Sequence, residues 1–135
     1  MADIELTRFI HETMPLTKLL GVEAIAASAD EVRARLPWDE SRCTSNGLMH
    51  GGAVMALADT CGGWCAFLNL PEGAAGTATV ESKTNFLRGI TKGDAVAVSR
   101  VLHAGRTFIV VDTEVRDGDG RLAARVTQTQ AVLRA

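Results

Sequence analysis

Between residues 31 and 36 apolar and polar positions alternate, Val32, Ala34 and Leu36 against Arg33 and Arg35. That two-residue period belongs to a half-buried strand, and together with 22–27 across the polar turn Ser28-Ala29-Asp30 it predicts a hairpin. Upstream, residues 3–13 carry mixed charge with helical spacing, and 15–20 read as a second short helical turn stopped by Gly21. Residues 37–49 are rich in turn formers, including Ser45-Asn46-Gly47, and read as a loop. After a second loop at 71–76 come four strand candidates, about 77–87, 94–103, 107–117 and 121–133. Gly89 and Gly93, then Gly105, then Asp117-Gly118-Asp119-Gly120 punctuate them, and the last of these is a strong hairpin turn.

The stretch between the two groups of strands differs in kind. From Ala53 to Leu68 nearly every side chain is small or apolar, and Asp59 is the one strongly polar exception. Its length, its Ala and Leu content, and the bounding Gly51 and Pro71 predict a helix over about 50–69. Apolar on all faces, it reads as a core helix. The economical architecture is one curved antiparallel sheet wrapped around that helix, an α+β fold in a single domain over 1–135, with 1–21 as an N-terminal helical segment. The strand from Thr77 to Phe86 is polar on both faces, so it is either covered by a partner subunit or ligand or left open to solvent.

Composition narrows the function classes. A 135-residue chain with 47% hydrophobic residues can bury a proper core. A net charge of −2 gives neither a nucleic-acid groove nor a basic membrane patch anything to rest on. Central Asp59 and four glycines argue against a membrane span for 50–69. Three cysteines, none in a C-x-x-C pair, and an acidic N-terminus without an apolar signal core predict a reducing, cytoplasmic setting.

The candidate chemistry lies at two places on the long helix. Gly51 and Gly52 open it, where N–H groups without internal partners carry the positive end of the dipole and suit an oxyanion or a polarised carbonyl. The alternative is a helix start packed tightly on a strand. His50 would cap the helix or hold the preceding loop. Gly62 and Gly63, costly inside a helix, predict the close approach of another backbone, such as the same helix of a second subunit. A lone carboxylate in an apolar rod is expensive, so Asp59 needs a partner, a cleft or a raised pKa. It follows Gly51 by eight residues, about 12 Å along the axis. A base or nucleophile must come within about 3 Å of its target. Either the two positions are unrelated, or the site is shared between two antiparallel copies, which predicts a dimer with two composite sites.

The run Asn46-Gly47-Leu48-Met49-His50-Gly51-Gly52, followed by Ala56-Leu57-Ala58-Asp59-Thr60, resembles the signature of the hotdog-fold acyl-CoA thioesterases. Within them it is most similar to the group typified by the phenylacetate-degradation thioesterase and the mammalian thioesterase superfamily member 2. Phe86-Leu87-Arg88-Gly89 with Gly93-Asp94, His103-Ala104-Gly105-Arg106, and Val115 to Ala124 extend the likeness over roughly 15–133. The resemblance implies a hotdog fold of about six strands around one long helix, a homodimer or dimer of dimers, and hydrolysis of acyl-CoA, with no cofactor beyond the CoA of the substrate. It makes Asp59 the general base or nucleophile, and Gly51 N–H the group that polarises the thioester carbonyl. Thr79, or Thr77 as the alternative, would orient water, with His50, Gly52 and Val80 among the substrate contacts. The family often has Asn or Gln six residues before the His; here Thr44 stands there, and Asn46 lies four before, so either takes the role. Arg88, Lys92 and Arg106 at predicted strand ends are candidates for the CoA phosphates. Trp64, Phe67 and the N-terminal helix read either as the walls of a bounded acyl pocket or as plain core. The competing readings are a non-catalytic acyl-CoA-binding module and a hotdog hydratase or dehydratase, whose His–carboxylate signature is missing here.

Overall fold

The computed structural model describes residues 1–135. Two short helices open the chain. In α1 (Ile4–Thr13), the Asp3 side chain accepts a hydrogen bond from the Leu6 N–H as N-cap. Pro15 starts α2 (Pro15–Leu20), and Gly21 ends it in the left-handed conformation at φ 82°. The hairpin β1 (Glu23–Ala27) and β2 (Val32–Pro37) follows, with Val32, Ala34 and Leu36 fully buried as their alternation requires. Two 3-10 turns, Glu40–Arg42 and Ser45–Gly47, interrupt the loop before α3 (Gly51–Phe67). The remaining strands are β3 (Ala74–Phe86), β4 (Asp94–Ala104), β5 (Phe108–Arg116) and β6 (Leu122–Arg134). Strand β3 begins earlier than expected: Ala74 and Gly76, read as loop, pair with Arg134 and Leu133 across a register shift.

All six strands form one antiparallel sheet in the order β1-β2-β4-β5-β6-β3. The sheet curls around α3, which lies on a floor of small buried residues: Ala24, Ala34, Ala95, Ala97 and Ser99. Small side chains let the helix come close to the sheet backbone. The Cys61 thiol reaches the carbonyl oxygens of Val32 (3.5 Å) and Ala97 (3.7 Å), and the Cys65 thiol that of Ser99 (3.7 Å). On the flank, α1 adds Ile10 to the core and sets Phe9 against Trp64, ring centroids 6.1 Å apart. No helix is long and apolar enough to cross a membrane.

The expectation that α3 is buried on every face is corrected. One curved sheet and a helical pair cover a rod on one side and a flank, so a stripe of Gly52, Met55, Asp59 and Phe67 stays exposed in the single chain. Asp59 therefore lies on an open face and not inside the core. The convex face of the sheet is polar and ion-paired, as in Arg35 with Glu23 (3.2 Å) and Asp94 (3.4 Å), and Arg125 with Asp112 (2.9 Å).

Candidate active site

Asp59 sits midway along α3, facing the neighbouring strands β3 and β6. Its Oδ1 accepts the Thr79 hydroxyl (2.8 Å) and the Gln128 Nε2–H (3.2 Å), while Oδ2 has no partner in the chain. A carboxylate only accepts, and that settles the sense of the whole network. Thr79 must donate to Asp59, so it accepts from Gln130 Nε2, and Gln130 Oε1 in turn accepts the Thr77 hydroxyl. Asp59 thus has both a partner and a cleft.

The two glutamines went unnoticed in the sequence. They continue the inward face of β6 after Ala124 and Val126, and both are fully buried. The available signal was glutamine at i and i+2 on the apolar face of an alternating strand, where an amide is costly unless bonded. They also correct the account of the helix glycines. A Cβ on Gly62 would stand 2.2 Å from Gln128 Oε1, and one on Gly63 would be 4.0 Å from Gln130 Nε2. Gly62 makes room for a side chain of the same chain and not for another backbone.

Asp59, Thr77, Thr79 and Gln130 form the polar end of a groove of about 570 Å³. Its other end is apolar, walled by Phe9, Met14, Leu16, Trp64 and Phe67. Val80 lies outside it, 63% exposed, at the middle residue of β3.

A second groove, about 380 Å³, opens at the N-terminus of α3 and is lined by Thr44, Gly51, Phe86 and Arg88 among others. His50 is the N-cap: its Nδ1 accepts from Gly52 N–H (2.8 Å), and its carbonyl accepts from Ala53 (2.9 Å) and Val54 (3.1 Å). The ring proton is therefore on Nε2 in the neutral tautomer. Of the first four N–H groups of the helix, only that of Gly51 lacks a partner in the chain. The Phe86 ring covers Gly51, since a Cβ there would be 3.2 Å from Phe86 Cζ. Glycine at 51 lets the ring sit there without giving by a few tenths of an ångström.

The other expected positions separate. Asn46 has φ 64°, the only non-glycine residue with positive φ, so its type suits the backbone there; its exposed side chain lines neither groove. Thr44 does line the Gly51 groove. Arg88 joins it there, whereas Lys92 and Arg106 precede and follow the 11-residue β4, whose own ends are about 33 Å apart along an extended strand. Within one chain those two do not meet one phosphate. No group of three or more His, Cys, Asp or Glu side chains is arranged to hold a metal ion.

A helix wrapped in a curled antiparallel sheet, with an unpaired helix N–H in one groove and a bonded carboxylate in another, is the frame of a hotdog thioesterase. The family model described as thioesterase superfamily matches residues 46–124. The chain belongs to the thioesterase superfamily, and its chemistry is thioester hydrolysis. The proofreading thioesterase EntH of Cronobacter turicensis is 30% identical over 118 residues, which is 87% of this chain and 85% of that protein. Among solved structures, a mutant thioesterase from Pseudomonas aeruginosa superposes with a TM-score of 0.89 at 29% identity, over 98% of this chain and 95% of that one. A thioesterase from Haemophilus influenzae gives 0.88 at 26% identity, over 99% and 92%.

Proposed function

We propose that this chain hydrolyses acyl-CoA thioesters in a homodimer whose sites each combine Asp59 of one protomer with Gly51 of the other. The observation that carries this reading is the unpartnered Oδ2 of Asp59 at the polar end of a groove with an apolar far end. The apolar end suits an acyl group, and Arg88 beside Gly51 suits a CoA phosphate.

The shared site follows from the sheet edge. Strand β3 ends the sheet, so 13 residues present unpaired backbone groups on one side. A second copy pairing antiparallel along β3, centred near Val80, would exchange its ends. The Asp59 groove, beside Thr77 and Thr79 in the first half of β3, would then meet the partner's Gly51 groove, beside Phe86 at the strand's last residue. The same copy would cover the open stripe of α3.

Donor accounting favours general base over nucleophile for Asp59. The Thr79 hydroxyl proton is spent on Asp59 Oδ1, and one lone pair of its oxygen is taken by Gln130. A water between Thr79 and Asp59 would donate one proton to Thr79 Oγ1 and the other to Oδ2, leaving its lone pairs for the thioester carbon. As water attacks, Oδ2 takes its proton, and Gly51 N–H of the partner holds the developing oxyanion. Collapse of the tetrahedral intermediate breaks the C–S bond and releases CoA thiolate, which is then protonated. Thr44, which lines the Gly51 groove, would touch the carbonyl from that side.

Thiol release from a panel of short, aryl and long-chain acyl-CoAs tests this, with Asp59→Asn as the control. Asparagine keeps an Oδ1 that accepts from both Thr79 and Gln128, so the fold and network persist while the base is lost. Turnover should fall by about 10²–10⁴-fold, the usual contribution of a general base. Undiminished turnover removes Asp59 from the mechanism, and tight CoA binding without thiol release across the panel replaces the enzyme with a binding module.

A further inference from the structure

The steps above use Asp59, Thr79 and Gly51 but give no part to Gln128, the second donor on the Asp59 carboxylate. We propose that Gln128 is a positioning residue for Asp59, supported by Gln130 acting through Thr79. Together they fix the carboxylate plane so that Oδ2 faces the groove. This rests on the reading of Asp59 as the base.

Three features of the structure converge on a single contact. Gln128 is fully buried, and its Oε1 has no hydrogen-bond partner. For stability alone, an apolar side chain of similar volume would fill that place without an orphaned acceptor. Gly62 lies in the interior of α3, where alanine suits a helix better, yet a Cβ there would collide with Gln128 Oε1. Both departures accommodate one amide, and the only bond that amide makes is from Nε2 to Asp59 Oδ1.

Geometry explains what that bond adds. With Thr79 as its sole partner, the carboxylate could swing about one hydrogen bond. A second donor on the same oxygen, arriving from β6 instead of β3, removes that freedom and leaves Oδ2 unencumbered. Gln130 performs the equivalent service one step away. Its Nε2 fixes the Thr79 hydroxyl rotor, and its Oε1 is itself held by Thr77. Neither glutamine touches the reacting atoms, so both act by orientation.

The test compares wild type, Gln128→Met, Gln128→Leu and Asp59→Asn in the full chain, by steady-state thiol release from the acyl-CoA panel and by crystal structures of the two Gln128 variants. Methionine keeps the volume and removes the donor; leucine is the second choice should methionine fail to fold. The expected result is a kcat reduced about tenfold or more, as small misplacements of a reacting group produce, with KM within about twofold and Asp59 in more than one rotamer. A melting temperature at or above that of the wild type should accompany it. An unchanged kcat with Asp59 in its original rotamer overturns the inference, as does a change confined to KM. The two readings fail separately. An active Asp59→Asn removes the base, whereas an inactive Asp59→Asn beside a fully active Gln128→Met removes only the positioning role. The rotamer comparison requires no turnover.

Discussion

Burial pushes the Cys61 thiol up to about 12 and the Cys65 thiol up to about 11, because the charged thiolate loses its hydration inside the core. Both therefore stay protonated near neutrality and act as small apolar groups that let α3 settle on the sheet. Cys43, half-buried in the loop before α3, is the thiol within reach of solvent. Alkylation of the native protein followed by intact-mass measurement should give one adduct, and three after denaturation. Rapid native labelling of Cys61 or Cys65 would contradict the packing described. At this scale Asp59 was legible because a lone carboxylate stands out in an apolar run. Gln128 and Gln130 were not, since Thr127-Gln128-Thr129-Gln130 looks uniformly polar until each residue is assigned a face. Asn46 has two readings at once, since a residue type that suits a carbonyl-positioning role also suits a left-handed backbone.

Among the elements, α3 shows how far periodicity reaches. Its length and helical character were readable to within about two residues at each end. Which side would be left open was not, because an apolar pattern without a polar face contains no direction. Only the sheet's curl and the position of α1 select the stripe at Gly52, Met55, Asp59 and Phe67. The paired glycines on this helix separate cleanly by neighbour. Gly62→Ala should cost about 1–3 kcal/mol in thermal or urea unfolding, as overpacking against a buried side chain does. Gly63→Ala has room, and should be neutral or gain up to about 1 kcal/mol from helix propensity. Equal effects at the two positions would refute the crowding of Gly62 by Gln128.

For the molecule as a whole, the hairpins were readable from their turn residues, but the placement of β3 beside β6 was not. That pairing joins Ala74–Phe86 to Leu122–Arg134 across two intervening strands, and no local signal specifies it. It is also what makes β3 an edge. With the convex face of the sheet charged and ion-paired, the β3 edge and the open side of α3 are the surfaces that the proposed second copy would cover. Light scattering on the purified protein should return twice the 14.3 kDa chain mass or a multiple of that pair. A monomer with full activity would sink the shared site.

The one-way run of donors from Thr77 through Gln130 and Thr79 to Asp59 has a further effect on how a catalytic cycle closes. A carboxamide keeps its protons near neutrality, so the glutamines insulate the carboxylate from the protein interior. In the proposed reaction, a proton taken up by Asp59 cannot drain inward and must leave by Oδ2, toward whatever occupies the groove. The departing thiolate is the natural recipient there. On that proposal, resetting the base and discharging the product would be a single event, and Asp59 would regain its charge only as the thiol product leaves.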